Sequence, residues 1–193
     1  MSKHTIYLVR HGYYELQSYD KLEGGLTLMG IEQAELVGLR LKSFPVKAIY
    51  SGTLKRAVET ATIIGKFHAD VKIQLSSDLC ECIPFIPDSA KRRWPMLAQV
   101  PLEIIESDRI QADSAFKRHF TISGVTAEHA IIVCHGNMIR YFVCRTLGLP
   151  DGMWLNLEIA NCALTEICIE PGRMSLVSYN DVGHLPDDLV TYS

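Results

Sequence analysis

The chain has 193 residues, long enough to bury roughly 70% of its unfolded surface around a single core. Hydrophobic residues make up 48% and charged residues 21%, which excludes wholesale disorder. A net charge of -3 argues against a general nucleic-acid binder, and no apolar run is long enough to span a membrane.

The first residues, MSKHTIYLVRHG, hold too short an apolar stretch for a secretory leader. The protein is expected to stay where it is made, in the cytoplasm, with no anchor. Six cysteines, at 80, 82, 134, 144, 162 and 168, are expected to be reduced, four of them in apolar elements.

Residues 4–9 predict a strand ending at Arg10-His11-Gly12. A loop follows over 13–26 and closes on Gly24-Gly25. Thr27 predicts the N-cap of a helix reaching Lys42, with Ile31, Ala34 and Leu41 on its apolar face. Residues 47–51 predict a short strand, 53–64 a helix stopped by Gly65, and 71–75 a strand leading to Glu81. Residues 83–101 hold four of the eight prolines and read as an irregular insert or lid. A helix over about 102–120 follows. The run AIIVC at 130–134 suits a strand covered on both faces, followed by His135-Gly136-Asn137 and a helix over about 138–147. Residues 159–169 and 174–179 predict two strands joined at a Pro-Gly turn, and 180–193 a polar surface tail. Alternating strands and helices imply an α/β fold, a three-layer α/β/α sandwich with a mainly parallel sheet. No internal repeat or low-complexity tract interrupts residues 1–193, which read as one domain with a lid near 83–120.

Chemistry concentrates after three of these strands. In open α/β sheets ligands bind at the strands' carboxyl ends. Arg10 and His11 reach that edge from one strand, Ser51 to Arg56 from a second, and His135 with Gly136 from a third. Two guanidinium forks at one edge suit a phosphoryl group. The other histidines, at 4, 68, 119, 129 and 184, read as structural or merely exposed. Cys80-Glu81-Cys82 has poor spacing for zinc. Lys91-Arg92-Arg93-Trp94 reads as solvated charge, with recognition of an acidic or phosphorylated partner as the sharper alternative. Ser51 and Thr53 fit helix capping or phosphate contact equally, and Asn137 fits pocket orientation or capping.

Four landmarks in order, Arg10-His11-Gly12, Leu26 to Gly30, Ser51 to Arg56 and His135-Gly136, resemble the histidine phosphatase, or phosphoglycerate mutase-like, superfamily. The run from Cys134 to Arg145, Glu81 with Pro84 and Pro87, Trp154-Leu155 and Gly183 to Pro186 are closer to its mitochondrial serine/threonine protein phosphatases. Relative to that group the chain is expected to be without the N-terminal membrane segment and the multimerisation motif after it. The resemblance implies a phosphoglycerate mutase-like fold and a phosphatase needing no metal or cofactor. His11 would form a phosphohistidine. Arg10, Arg56, His135 and Gly136 would bind the phosphoryl group, and Glu81 would serve as general acid, with Asp78 or Asp88 as alternatives. Implied substrates are phosphoproteins or small phosphorylated metabolites, with no nucleic-acid or membrane partner and a possible homodimer. Two further readings stand beside this one: a phosphoglycerate-type mutase, and a non-catalytic phospho-ligand-binding scaffold.

Overall fold

The computed structural model describes residues 3–15, 24–121 and 128–192. Among the described residues six strands form one sheet: β1 (His4–Arg10), β2 (Ala48–Ser51), β3 (Ile73–Leu75), β4 (Glu128–Cys134), β5 (Leu164–Glu170) and β6 (Arg173–Asp181). Their spatial order is β3-β2-β4-β1-β5-β6. The pairings β3–β2, β2–β4 and β4–β1 are parallel, while β1–β5 and β5–β6 are antiparallel. The sheet is therefore mixed, with its parallel part at the half that carries Arg10, Ser51 and Cys134.

The described residues form five α-helices, α1 (Leu28–Leu41), α2 (Lys55–Gly65), α3 (Asp88–Arg93), α4 (Leu102–His119) and α5 (Gly136–Leu147), of which α1, α2, α4 and α5 cover the sheet. Strand alternation sorts the core into two slabs. Ile6, Leu8 and Ile132 join Ala112, Ala115, Met138 and Phe142 of α4 and α5. Tyr7, Val9, Ile49 and Ile131 join Ala34, Val37, Ala57 and Ala61 of α1 and α2. Both faces are thus covered, giving the three layers. Each large side chain buried in either slab is worth roughly 1.5–3 kcal/mol of transfer free energy.

Thr27 caps α1 as expected, accepting from Gly30 N at 3.0 Å. Gly148, at φ +63, ends α5 in a left-handed turn that glycine enters without steric cost. Several expectations need correction. Ile31 is 37% exposed, because the buried stripe of α1 runs through Gln33, Ala34, Val37 and Leu41 instead. Helix α2 starts at Lys55, and β5 starts at Leu164 after a tight turn over residues 161–162. The insert over 83–101 contains α3 and a 3-10 turn, Pro95–Gln99. The tail is not a surface run: Leu185 and Leu189 are buried and Asn161 N donates to Thr191 O at 2.9 Å. Part of the loop expected over 13–26, residues 16–23, lies outside the described residues, although its ends meet where Tyr14 pairs with Leu26. All six cysteines are free thiols, five of them buried.

Candidate active site

Strands β1, β2 and β4 lie side by side and point the same way, so their next residues arrive at one edge. His11 N donates to Cys134 O and Gly52 N to Val133 O, both at 3.0 Å, which stitches the three exits together. The imidazoles of His11 and His135 end with centroids 5.1 Å apart, tilted by 56°. Arg10 and Arg56 are both buried beside them.

His11 is 2% exposed, and its two ring nitrogens have different partners. Nδ1 lies 2.9 Å from Gly12 O, an acceptor only, so Nδ1 carries the proton. Arg56 Nε donates to Nε2 at 3.2 Å, so Nε2 presents a lone pair. Burial pushes the His11 pKa well below the ordinary value, and the neighbouring His135, Arg10 and Arg56 push the same way. The ring is therefore neutral near pH 7. His135 is fully buried and burial lowers its pKa to about 3, with Arg56 and Arg10 adding to the effect. Neither of its ring nitrogens has a hydrogen-bond partner among the described residues. Arg10 Nη1 donates to Ile159 O at 2.6 Å. Arg56 also lies over the Tyr14 ring, 4.5 Å from its centroid.

Three glycines make this packing possible. A Cβ at Gly52 would sit 2.8 Å from Leu79 O and 3.2 Å from His135 Nε2. A Cβ at Gly12 would meet Gly30 O at 2.5 Å, and one at Gly30 would meet Tyr13 O at 2.0 Å. The Leu26 to Gly30 landmark is thus a backbone-on-backbone contact that seats the turn after His11 against the start of α1. Gly136 lies beside Arg10, where a Cβ would be 3.3 Å from Arg10 Nε.

Glu81 follows β3 and the 3-10 turn Ser77–Leu79, on the same side of the sheet. Solvent reaches the residue at the surface, yet the surrounding protein displaces enough water to raise its carboxyl pKa. Arg10, a hydrogen bond from Cys82 N, Arg56 and Arg140 oppose that rise without cancelling it. The alternatives are engaged elsewhere. Asp78 pairs with Arg118 at 3.3 Å and accepts from Ser76 Oγ, and Asp88 pairs with Lys91 at 3.2 Å. Neither Ser51 nor Thr53 caps α2: Ser51 Oγ donates to Gly52 O at 2.9 Å and Thr53 Oγ1 lies 3.1 Å from Cys80 Sγ. Asn137 does not cap α5 either, but donates to Cys82 O at 3.0 Å.

Three of the remaining histidines have structural surroundings. His129 Nδ1 meets Tyr7 OH at 3.0 Å, His119 packs edge-on against Tyr50, and His184 Nε2 meets Cys162 O at 3.0 Å. Lys91, Arg92 and Arg93 form the last turn of α3, with Arg93 over Trp94. Among the described residues no group of three or more His, Cys, Asp or Glu is placed to hold a metal ion.

Sequence reasoning missed an outer ring of polar residues. Thr60 Oγ1 accepts from Gly12 N at 3.0 Å. Gln33, fully buried, accepts from Tyr13 N at 2.8 Å and donates to Leu189 O at 2.7 Å and Thr191 Oγ1 at 2.9 Å. Asn161 donates to His11 O at 3.1 Å and accepts from Thr191 Oγ1 at 2.9 Å. The chain's last described residues therefore brace both sides of the first histidine's turn. A buried glutamine within an apolar helix stripe was the one signal available.

The sequence profile of the histidine phosphatase superfamily (branch 1) matches residues 6–84 and 88–182. The mitochondrial serine/threonine-protein phosphatase Pgam5 of Caenorhabditis elegans is 38% identical over 98% of this chain. Its counterpart from Homo sapiens is 35% identical over 97%. The chain spans 66% of the length of either relative. Among solved structures, a phosphoglycerate mutase from Plasmodium falciparum matches with a TM-score of 0.67 and 28% identity, over 100% of both chains. A phosphoserine phosphatase mutant from Entamoeba histolytica, in complex with phosphoserine, shares the fold with a TM-score of 0.71. It is 21% identical and covers 95% of this chain and 100% of its own. The expectation of a cytoplasmic protein is corrected by these relatives, both of which are named mitochondrial. That expectation was drawn from the short apolar stretch before Arg10, which says nothing about import by other routes.

Proposed function

The chain belongs to the histidine phosphatase superfamily, and on that premise we propose that it hydrolyses phosphate monoesters through a phosphohistidine on His11. One observation carries the reading: His11 offers an unprotonated Nε2 next to the Arg56 guanidinium, with the unpaired ring of His135 facing it. A phosphoryl group between them supplies the hydrogen-bond partner that the buried His135 ring otherwise lacks.

In this mechanism the Nε2 lone pair forms the N–P bond as the ester P–O bond breaks. The departing alcohol oxygen takes the proton held by Glu81. A water then attacks phosphorus and gives a proton to the Glu81 carboxylate, while the P–N bond breaks. Neutral His11 and inorganic phosphate are returned. Arg10, Arg56, His135 and the open backbone at Gly136 stabilise charge on the phosphoryl oxygens, usually the largest catalytic contribution. That charge needs no metal, because two guanidinium groups supply it.

Residues 1–193 form one domain in this reading, and the segment 83–120 borders the substrate. The relatives' names favour phosphoproteins as substrates and a mitochondrial setting. Small phosphate esters stay within it, as does a homodimer; nucleic acid and membrane do not. The deciding measurement is hydrolysis of p-nitrophenyl phosphate by wild type and His11→Ala, with acid-labile phosphate trapped on the wild type alone. Equal rates for the two proteins would remove His11 from the mechanism. The Plasmodium neighbour keeps a mutase in view. Isomerisation of 3-phosphoglycerate with a 2,3-bisphosphate primer and no phosphate release would replace hydrolysis with transfer.

A further inference from the structure

Residues 81–87 belong to no helix or strand, so no ladder of backbone bonds holds Glu81. Side chains from two helices do so instead. Gln111 of α4 donates to Cys80 O at 3.0 Å and also reaches Asp78 O at 3.4 Å. Asp108, one turn earlier on α4, accepts from Ile83 N at 2.7 Å. Asn137 of α5 donates to Cys82 O at 3.0 Å, and its own Oδ1 accepts from Arg140 Nη2. Thr53 Oγ1 touches Cys80 Sγ from the β2 side. The carbonyls on either side of Glu81 are therefore each held by a side-chain amide, and the next free N–H by a carboxylate. Both helices are anchored in one core slab through Ala112, Ala115, Met138 and Phe142.

We infer that Asp108 and Gln111 are positioning residues that hold Glu81 where it can protonate the leaving oxygen. The inference rests on Glu81 being the general acid. Proton transfer demands hydrogen-bond reach, and a misplacement of about 1 Å can cost ~10²-fold in rate. An irregular segment freed of its side-chain clamps drifts by at least that much. Asp108 and Gln111 hold backbone groups of residues 78, 80 and 83, so the phosphoryl-binding half of the site is expected to stay intact without them.

The test exploits the leaving group. p-Nitrophenolate leaves as a stable anion and needs little acid help, whereas the serine alkoxide of a phosphopeptide needs a proton. The value of kcat/KM, which covers steps through formation of the phosphohistidine, is measured on both substrates. The set comprises wild type, Glu81→Gln, Asp108→Leu, Asp108→Asn and Gln111→Met. Asp108→Leu and Gln111→Met are expected to lose about 10- to 100-fold on the phosphopeptide and less than threefold on p-nitrophenyl phosphate. Asp108→Asn keeps an acceptor oxygen for Ile83 N–H and should recover most of the loss. If Glu81→Gln shows no dependence on the leaving group, Glu81 is not the acid and the inference falls with it. If Glu81→Gln shows the dependence while the α4 variants match wild type, or lose equally on both substrates, the clamp alone is refuted.

Discussion

Arg56 Nε donates to His11 Nε2 across 3.2 Å, so a guanidinium rests on the lone pair assigned to attack phosphorus. The bond keeps the ring in one tautomer while the site is empty of substrate, and a phosphoryl group must take its place. Arg56→Lys is expected to lower kcat/KM for p-nitrophenyl phosphate by about 10²–10³, since an ammonium has no fork to offer two oxygens. Steady-state kinetics decides this. A loss below fivefold would take Arg56 out of the cradle.

His135 makes stability depend on acidity. Folded, it binds a proton only near pH 3; unfolded, near 6.5. Between those values the unfolded chain holds the extra proton, so stability falls as pH drops from about 6.5 toward 3. The full span corresponds to roughly 5 kcal/mol from this residue. His11 acts in the same direction. Thermal unfolding from pH 7 to pH 4 should show a steep decline, and His135→Asn, which cannot titrate, should flatten it. Parallel slopes for both proteins would contradict the buried, neutral imidazole.

Two glycine-to-alanine changes should differ in kind. At Gly30 the new Cβ lies 2.0 Å from Tyr13 O, a backbone atom with little room to yield. Overpacking of this sort costs about 1–3 kcal/mol, and here the displaced segment adjoins His11, so turnover should drop as well. At Gly148 a Cβ has open space and meets only the strain of φ +63, about 1 kcal/mol, with activity unchanged. Urea denaturation and p-nitrophenyl phosphate turnover for the pair would test this. Full activity in Gly30→Ala is the result that speaks against the contact.

Removing the Asn161 amide leaves the buried His11 carbonyl without its side-chain donor. Asn161→Ala should cost about 1–3 kcal/mol in stability. Because the lost bond lies on the peptide of His11, the proposed nucleophile, kcat should fall while KM for a small substrate changes little. Thr191→Val, one bond further out, should show the same pattern more weakly. An effect on KM alone would mean that the amide acts on substrate rather than on His11.

The inner site was readable because its residues sit where the strand pattern breaks. Arg10, His11 and His135 each follow an apolar run, and strand ends in a parallel sheet converge. Arg56 was readable from the short strand and helix around it. What stayed hidden was polar and distant. Asp108 looks like an ordinary helix residue until the insert folds over it, and Gln33 shows only as a polar interruption of an apolar stripe. Nothing local marks Asn161 as the partner of a carbonyl 150 positions earlier. The tail itself is polar in composition, yet Leu185 and Leu189 carry it inward. The late start of β5 has a comparable cause: Cys162 N donates to Arg10 O, with Cys162 at φ 53, so the chain turns before it can pair.

The link from Thr191 through Asn161 and Gln33 to the turn at His11 also fixes an order of events during synthesis. His11 leaves the ribosome well before Thr191, whose hydroxyl braces its turn through Asn161. A nascent chain thus carries its reactive imidazole in an unbraced turn until translation has passed position 191. The His11 turn acquires its full bracing only once position 191 has been made.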